Sequence, residues 1–229
     1  MTLSIGKSQS VTAALSTRIT ARAFTDKAVP QALLQEILET ARRTPSGGNL
    51  QPWNVHVMTG KTLADFVAHG VKYATEGNQD EPTHPAYPAS LWEPMRSRRY
   101  QLGEDMYALL GIAKDDKFAR MAQFLENMKF FGAPVGLIIT GHKKLEAPQH
   151  MDIGIYLQSL MLLAREHGLH TAPQGWWRNW HTVCDKFLDI PDDQEVLVGL
   201  ALGYGDETAP VNNLRAARAE LSETHRFYS

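Results

Sequence analysis

Two short apolar runs constrain this chain more than anything else in it: residues 135–140 (Val-Gly-Leu-Ile-Ile-Thr) and residues 196–202. Each is too short to stand as a helix, and each is bounded by residues that break regular structure. Runs of this kind read as strands buried on both faces, so the chain must build a sheet with cover on two sides. Gly132-Ala133-Pro134 stops whatever precedes the first run, and Gly141 closes it. A third strand is expected over 53–59, where Val55, Val57 and Thr59 alternate with Asn54, His56 and Met58 and Gly60 ends the pattern.

The cover comes from amphipathic helices. Leu33, Leu34, Ile37, Leu38 and Ala41 recur at helical spacing over 30–43, with Pro30 near the first helical position and Thr44-Pro45 at the stop. A second helix is expected over 61–74 through Leu63, Phe66, Val67 and Val71. A third, over 152–167, carries a wide apolar face and stops at Gly168. A short strand or extended turn over 169–172 then leads into a turn at Pro173-Gln174-Gly175, followed by a helix near 180–188.

Residues 76–94 are polar and punctuated by four prolines, which predicts a long loop or lid. Two helices, 95–110 and 116–130, complete one insertion spanning about 75–130. The last segment, 206–229, has little apolar content, and its spaced anchors Leu214, Leu221, Phe227 and Tyr228 suggest contact with another subunit. The expected architecture is one α+β domain over 1–229, a sheet sandwiched by helices.

Composition excludes several functions. The 23 basic and 25 acidic residues are interspersed and leave a net charge of −2, so no phosphate-backbone stripe is expected and no nucleic-acid partner. Arg96, Arg98 and Arg99 cluster, and are read as a solvated helix face. The single Cys184 rules out an intramolecular disulfide and Cys-rich metal sites, and the N-terminus lacks a signal-like apolar run. A cytoplasmic protein with no membrane contact is expected. His167 and His170 have ligand-like spacing but no third partner, so no metal is expected, and no Gly-x-Ser-x-Gly elbow points to a hydrolase.

Three constellations carry chemistry. In Arg18-Ile19-Thr20-Ala21-Arg22 two guanidinium groups four apart flank a hydroxyl, a geometry that permits an anion site although spacing alone favours a solvated helix-end pair. Pro45-Ser46-Gly47-Gly48-Asn49-Leu50-Gln51-Pro52-Trp53 offers paired glycines for close backbone approach and amide and hydroxyl groups for the edge of a heterocycle. Pro173-Gln174-Gly175-Trp176-Trp177 joins a turn to two tryptophans that serve either an aromatic pocket or the core.

Taken in order, these runs, with Gly132-Ala133-Pro134, Gly203-Tyr204, Arg215 and Arg218, resemble the nitroreductase family over about 15–60 and from 131 to the C-terminus. The resemblance implies an interlocked homodimer with FMN at the interface, reduced by NADPH or NADH. It implies that Arg18, Thr20 and Arg22, with Arg218 and Arg215, hold the FMN phosphate and ribityl chain, Ile19 lying where several relatives carry a polar residue. Pro45, Ser46, Gly47, Asn49 and Gln51 would line the flavin, Pro173, Gln174 and Gly175 would approach its N5 edge, and Asp152 would begin a flavin-pocket helix. Trp176, Trp177 and Tyr100 would shape the pocket for the acceptor. No catalytic acid is required, because the flavin carries the hydride chemistry. Ping-pong reduction of small electron-poor acceptors such as nitroaromatics follows. The alternatives are a relative that reduces a quinone, an enal or semialdehyde, or a halogenated ring, and a flavin-binding or flavin-consuming protein without turnover.

Overall fold

The computed structural model describes residues 2–82 and 84–229. In chain order the elements are α1 (Val11–Thr17), α2 (Gln31–Ala41), β1 (Asn54–Thr59), α3 (Gly60–Thr75), α4 (Met95–Leu109), α5 (Lys117–Leu125), β2 (Val135–His142), α6 (Ala147–Glu166), β3 (His170–Gln174), α7 (His181–Leu188), β4 (Gln194–Gly203) and the single turn α8 (Leu221–Thr224). The two apolar runs become the central strands of a four-stranded sheet ordered β1-β2-β4-β3, antiparallel throughout. Leu137, Ile138 and Ile139 are fully buried, as are Leu200, Ala201 and Leu202.

Successive side chains on these strands point to opposite faces, and each face has its own core. On one side Leu137, Ile139, Leu200 and Leu202 pack against Leu34, Ile37 and Ala41 of α2 and Ile153, Tyr156, Leu160 and Ala164 of α6. On the other, Ile138 and Ala201 pack against Phe66 of α3, Trp177, and Val183 and Cys184 of α7. The sandwich expected from the sequence is present.

Several boundaries differ from the sequence expectation. Helix α6 starts five residues early, at Ala147, because Glu146 caps it: its side chain accepts from the Gln149 backbone while its own N–H donates to Gln149 Oε1 at 3.1 Å. The expected turn at Pro173-Gln174 is the end of β3, with Gln174 paired to Gly199, and a 3-10 stretch follows over Gly175–Trp180. Helix α5 ends at Leu125 rather than near 130. Phe130, Phe131 and Gly132 then adopt φ of 49, 55 and 79°, a left-handed run that turns the chain into β2. Residues 206–229 do not behave as one tail. Val211 and Asn212 are buried, and Asn212 clamps the N-terminal strap by donating Nδ2 to Ala23 O and accepting from Arg22 N–H, both at 2.8 Å. The part after Arg215 is almost wholly exposed. Among the described residues, no helix is long and apolar enough to cross a membrane.

Candidate functional site

The strap from Arg18 to Arg22 lies along β3, where Thr20 bridges Thr171 and Ala21 N–H donates to Thr171 O at 3.0 Å. An extended strap alternates its side chains. Ile19 and Ala21 turn inward onto Leu3, so Ile19 contributes a wall atom at most and its side chain serves a small apolar cluster. Arg18, Thr20 and Arg22 turn the other way, into a cavity of about 310 Å³ that Arg215 and Arg218 also line.

Four guanidinium groups in one small cavity are costly unless something neutralises them. Among the described residues none of the four makes an ion pair. Arg22 donates to Thr20 O, Arg215 to Asn212 O, Leu214 O and Thr2 O, and Arg218 to Ala216 O and Ala217 O, all backbone carbonyls. The protonated form of Arg18 is disfavoured first by burial and then by the charge of Arg218, and burial does the same at Arg22. This is a field built for an anion.

Thr20 and Arg22 also border a larger cavity of about 870 Å³. Pro173 forms part of its floor; Tyr87, Tyr100, Tyr107, Phe124 and Phe131 supply aromatic walls; Arg96 and Arg99 sit at its rim. The Arg99 guanidinium lies 4.3 Å from the centre of the Tyr87 ring. All three arginines are exposed, Arg96 paired with Glu93 at 2.7 Å and Arg98 with Glu223 at 3.0 Å, as a solvated face requires, but Arg96 and Arg99 also edge the cavity. The sequence shows three arginines on a helix but not that α4 lies across the mouth of a cavity.

Of the expected pocket aromatics, Tyr100 lines the cavity, whereas Trp177 does not. Trp177 is fully buried, stacked on Phe130 at 5.0 Å and sunk over Gly199, where an added Cβ would come within 2.2 Å of the indole. It is a core side chain. Trp176 stacks on Trp180 at 3.7 Å and meets Phe124 edge-on, one layer behind the wall. The Gln174 side chain is also turned inward, donating to Asn127 O at 2.7 Å and accepting from Trp177 Nε1–H at 3.3 Å, and Gln174 does not line the cavity. At Gly175 a Cβ would meet Arg178 at 2.8 Å.

The loop after α2 stands apart. Gly48, Asn49 and Gln51 hold φ of 56, 57 and 49°, and the Ser46 hydroxyl accepts from Gln51 N–H at 2.9 Å. Left-handed conformations at Asn49 and Gln51 are strained, so such a loop needs outside support. Asp152 supplies it: both carboxylate oxygens accept from Gly47 N–H at 3.2 Å. Asp152 is thus a positioning residue for the loop. Pro45, Gly47, Asn49 and Gln51 are exposed, and the loop borders neither cavity that the arginines line. The sequence-predicted site falls into two clusters on one chain. His167 and His170 do not converge either, since His167 faces Glu36 and His170 is buried against Gly205.

Comparison with known proteins decides what this geometry belongs to. The profile described as "Nitroreductase family" matches residues 15–204. The chain belongs to the nitroreductase family. Within it, a 4-nitrobenzoate reductase of Pseudomonas putida is 38% identical over 207 residues, covering 90% of each chain. Among solved structures, the FMN and NADPH-dependent nitroreductase NfnB of Sphingopyxis sp. strain HMH superposes with a TM-score of 0.92 at 42% identity, over 96% of this chain and 99% of that one. The FMN-dependent NfnB of Mycobacterium smegmatis, solved in complex with NADPH, gives 0.90 at 31% identity, over 94% and 96%. This nitroreductase-family chain therefore shares its relatives' architecture along nearly its whole length.

Proposed function

We propose that the chain is an FMN-dependent oxidoreductase that takes reducing equivalents from NADPH or NADH and delivers them to small electron-poor acceptors, nitroaromatics foremost. The observation that carries this reading is the cavity holding Arg18, Arg22, Arg215 and Arg218, lined by no carboxylate among the described residues and sharing Thr20 and Arg22 with an aromatic-walled cavity. A phosphate on a flat, aromatic cofactor satisfies both halves: guanidinium forks and the Thr20 hydroxyl hold the phosphate, and the larger space takes the ring system. FMN, when bound, supplies hydride acceptance and release. The residues of the chain bind, orient and control access.

Of the turn residues Pro173 lines this cavity, and in this reading Gln174 and Gly175 follow it along the edge of the ring system, while Tyr87, Tyr100, Phe124 and the rim arginines of α4 define what enters beside it. One pocket then serves the nicotinamide and the acceptor in turn, giving ping-pong kinetics with the two competing.

The chain works as a homodimer in this reading. The strained loop over 45–51 displays its polar groups outward and away from the arginines, as a surface does when its ligand is held by another copy. Leu50 on the loop, Met151 and Ile155 on α6, and Val11 and Leu15 on α1 are exposed apolar side chains, which suits a homodimer face. The domain acts as one unit, with 75–130 covering the cavity and the end of the tail reaching the second copy.

The test is a visible spectrum of the purified protein, repeated anaerobically with each nicotinamide. Flavin bands near one per chain should bleach with NADPH or NADH and return on adding a nitroaromatic. A colourless protein that takes up no FMN overturns the assignment, and flavin that bleaches once without turnover favours a binding role.

A further inference from the structure

Beside β4, on the far side of the 76–94 segment from the main cavity lining, three side chains from distant parts of the sequence meet. His84 comes from that segment, His150 from the first turn of α6, and Glu195 from the start of β4. Their ligand atoms all lie within 4.8 Å of one another. The two imidazole rings meet edge-on with centres 5.4 Å apart, and His84 Nε2 is 3.2 Å from Glu195 Oε1.

Two of these groups are poorly satisfied. Glu195 is only 6% exposed, and among the described residues His84 is its one hydrogen-bond partner. The neighbouring Arg178 donates its Nε to Gly175 O and supports Glu195 through its charge alone, without a hydrogen bond. His150 Nε2 is shielded from solvent and has no hydrogen-bond partner among the described residues. Burying such atoms unmatched is unfavourable. The His84–Glu195 contact satisfies that pair but leaves His150 Nε2 stranded, whereas one divalent cation satisfies all three.

We propose that His84, His150 and Glu195 form a binding site for a zinc-class divalent ion, which staples the 76–94 segment to the body of the sheet. Two imidazole nitrogens and one carboxylate oxygen are the donor set of a borderline ion rather than of calcium or magnesium. Three protein ligands leave a fourth position open to water, facing a cavity of about 480 Å³ lined by Arg178, Leu197 and Val198. Ligand-to-metal distances of about 2.0–2.2 Å require the three donors to close by roughly an ångström, within reach of a half-exposed loop residue such as His84. The same segment carries Tyr87, Pro88, Ala89, Ser90 and Leu91, which line the main cavity, so the ion would fix the position of that wall.

Titrating the chelator-dialysed, flavin-loaded full chain with zinc chloride by calorimetry tests this. One zinc per chain is expected, with affinity at least about tenfold weaker in both H84A and H150Q. Zinc should also slow protease cleavage within 76–94 in the unmodified protein and not in H84A. His84 is half-exposed, so that variant should keep its circular dichroism and flavin content. Absence of stoichiometric binding, or a variant that binds zinc as tightly as the unmodified protein, overturns the site; binding without protection of the segment overturns the staple. Neither readout depends on turnover, so the result stands apart from the proposed reaction.

Discussion

Arg18 and Arg218 illustrate how charge without a counter-charge marks a site. Each guanidinium is held near the other although that proximity is unfavourable, and only an external anion removes the penalty. Changing both to Ala should weaken FMN binding by about 100-fold or more, since each charge-assisted bond is worth about 1.5–3 kcal/mol; flavin fluorescence on dilution measures it. A double variant that stays fully yellow would refute the phosphate assignment. His170 gives a pH prediction. Burial first, then the charges of Arg165 and Arg215, push its pKa down to about 4 from 6.5. The unfolded chain therefore binds a proton over a range where the folded chain does not, so stability is unaffected above pH ~6.5 and falls as pH drops toward 4, by about 3 kcal/mol in all. Urea midpoints across that range should show the decline, and H170F should flatten it. The sequence showed the arginines and their spacing. It could not show that neither Trp176 nor Trp177 lines the cavity, because both are set by packing on Phe124, Phe130 and Gly199, residues distant in sequence.

At the level of elements, the buried strands were readable because their apolar runs leave no other packing, and α2, α3 and α7 because their periodicity is regular. What was missed follows a pattern. The start of α6 depends on a reciprocal cap, the end of α5 on left-handed phenylalanines, and the continuation of β3 through Pro173 on its place at the sheet edge, where the missing N–H costs no ladder bond. Each is a tertiary decision overriding a local signal. Gly199 tests how firmly β4 and the 3-10 stretch after β3 are interlocked. Because Trp177 fills the space above it, Gly199→Val should cost about 1–3 kcal/mol or more, and a lowered Tm with blue-shift changes in tryptophan emission would register it. An unchanged Tm would mean the indole has room to move.

For the molecule as a whole, the split of the tail matters most. Residues up to Asn213 are fastened to their own chain through Asn212, whereas Leu221, Phe227 and Tyr228 extend outward, with Arg98 and Glu223 as a tether. Deleting 219–229 should therefore leave the fold and all four arginines intact while shifting sedimentation toward the monomer; a dimer as stable as the parent would show that the tail is dispensable. The two clusters of site residues, arginines in one cavity and the strained 45–51 loop outside it, carry a final implication. In the proposed homodimer neither copy owns a complete binding site, so cofactor occupancy and subunit association become linked equilibria. Specific activity should then decline on dilution below the micromolar range and be restored by excess FMN, which would act as a glue between chains as much as a reagent.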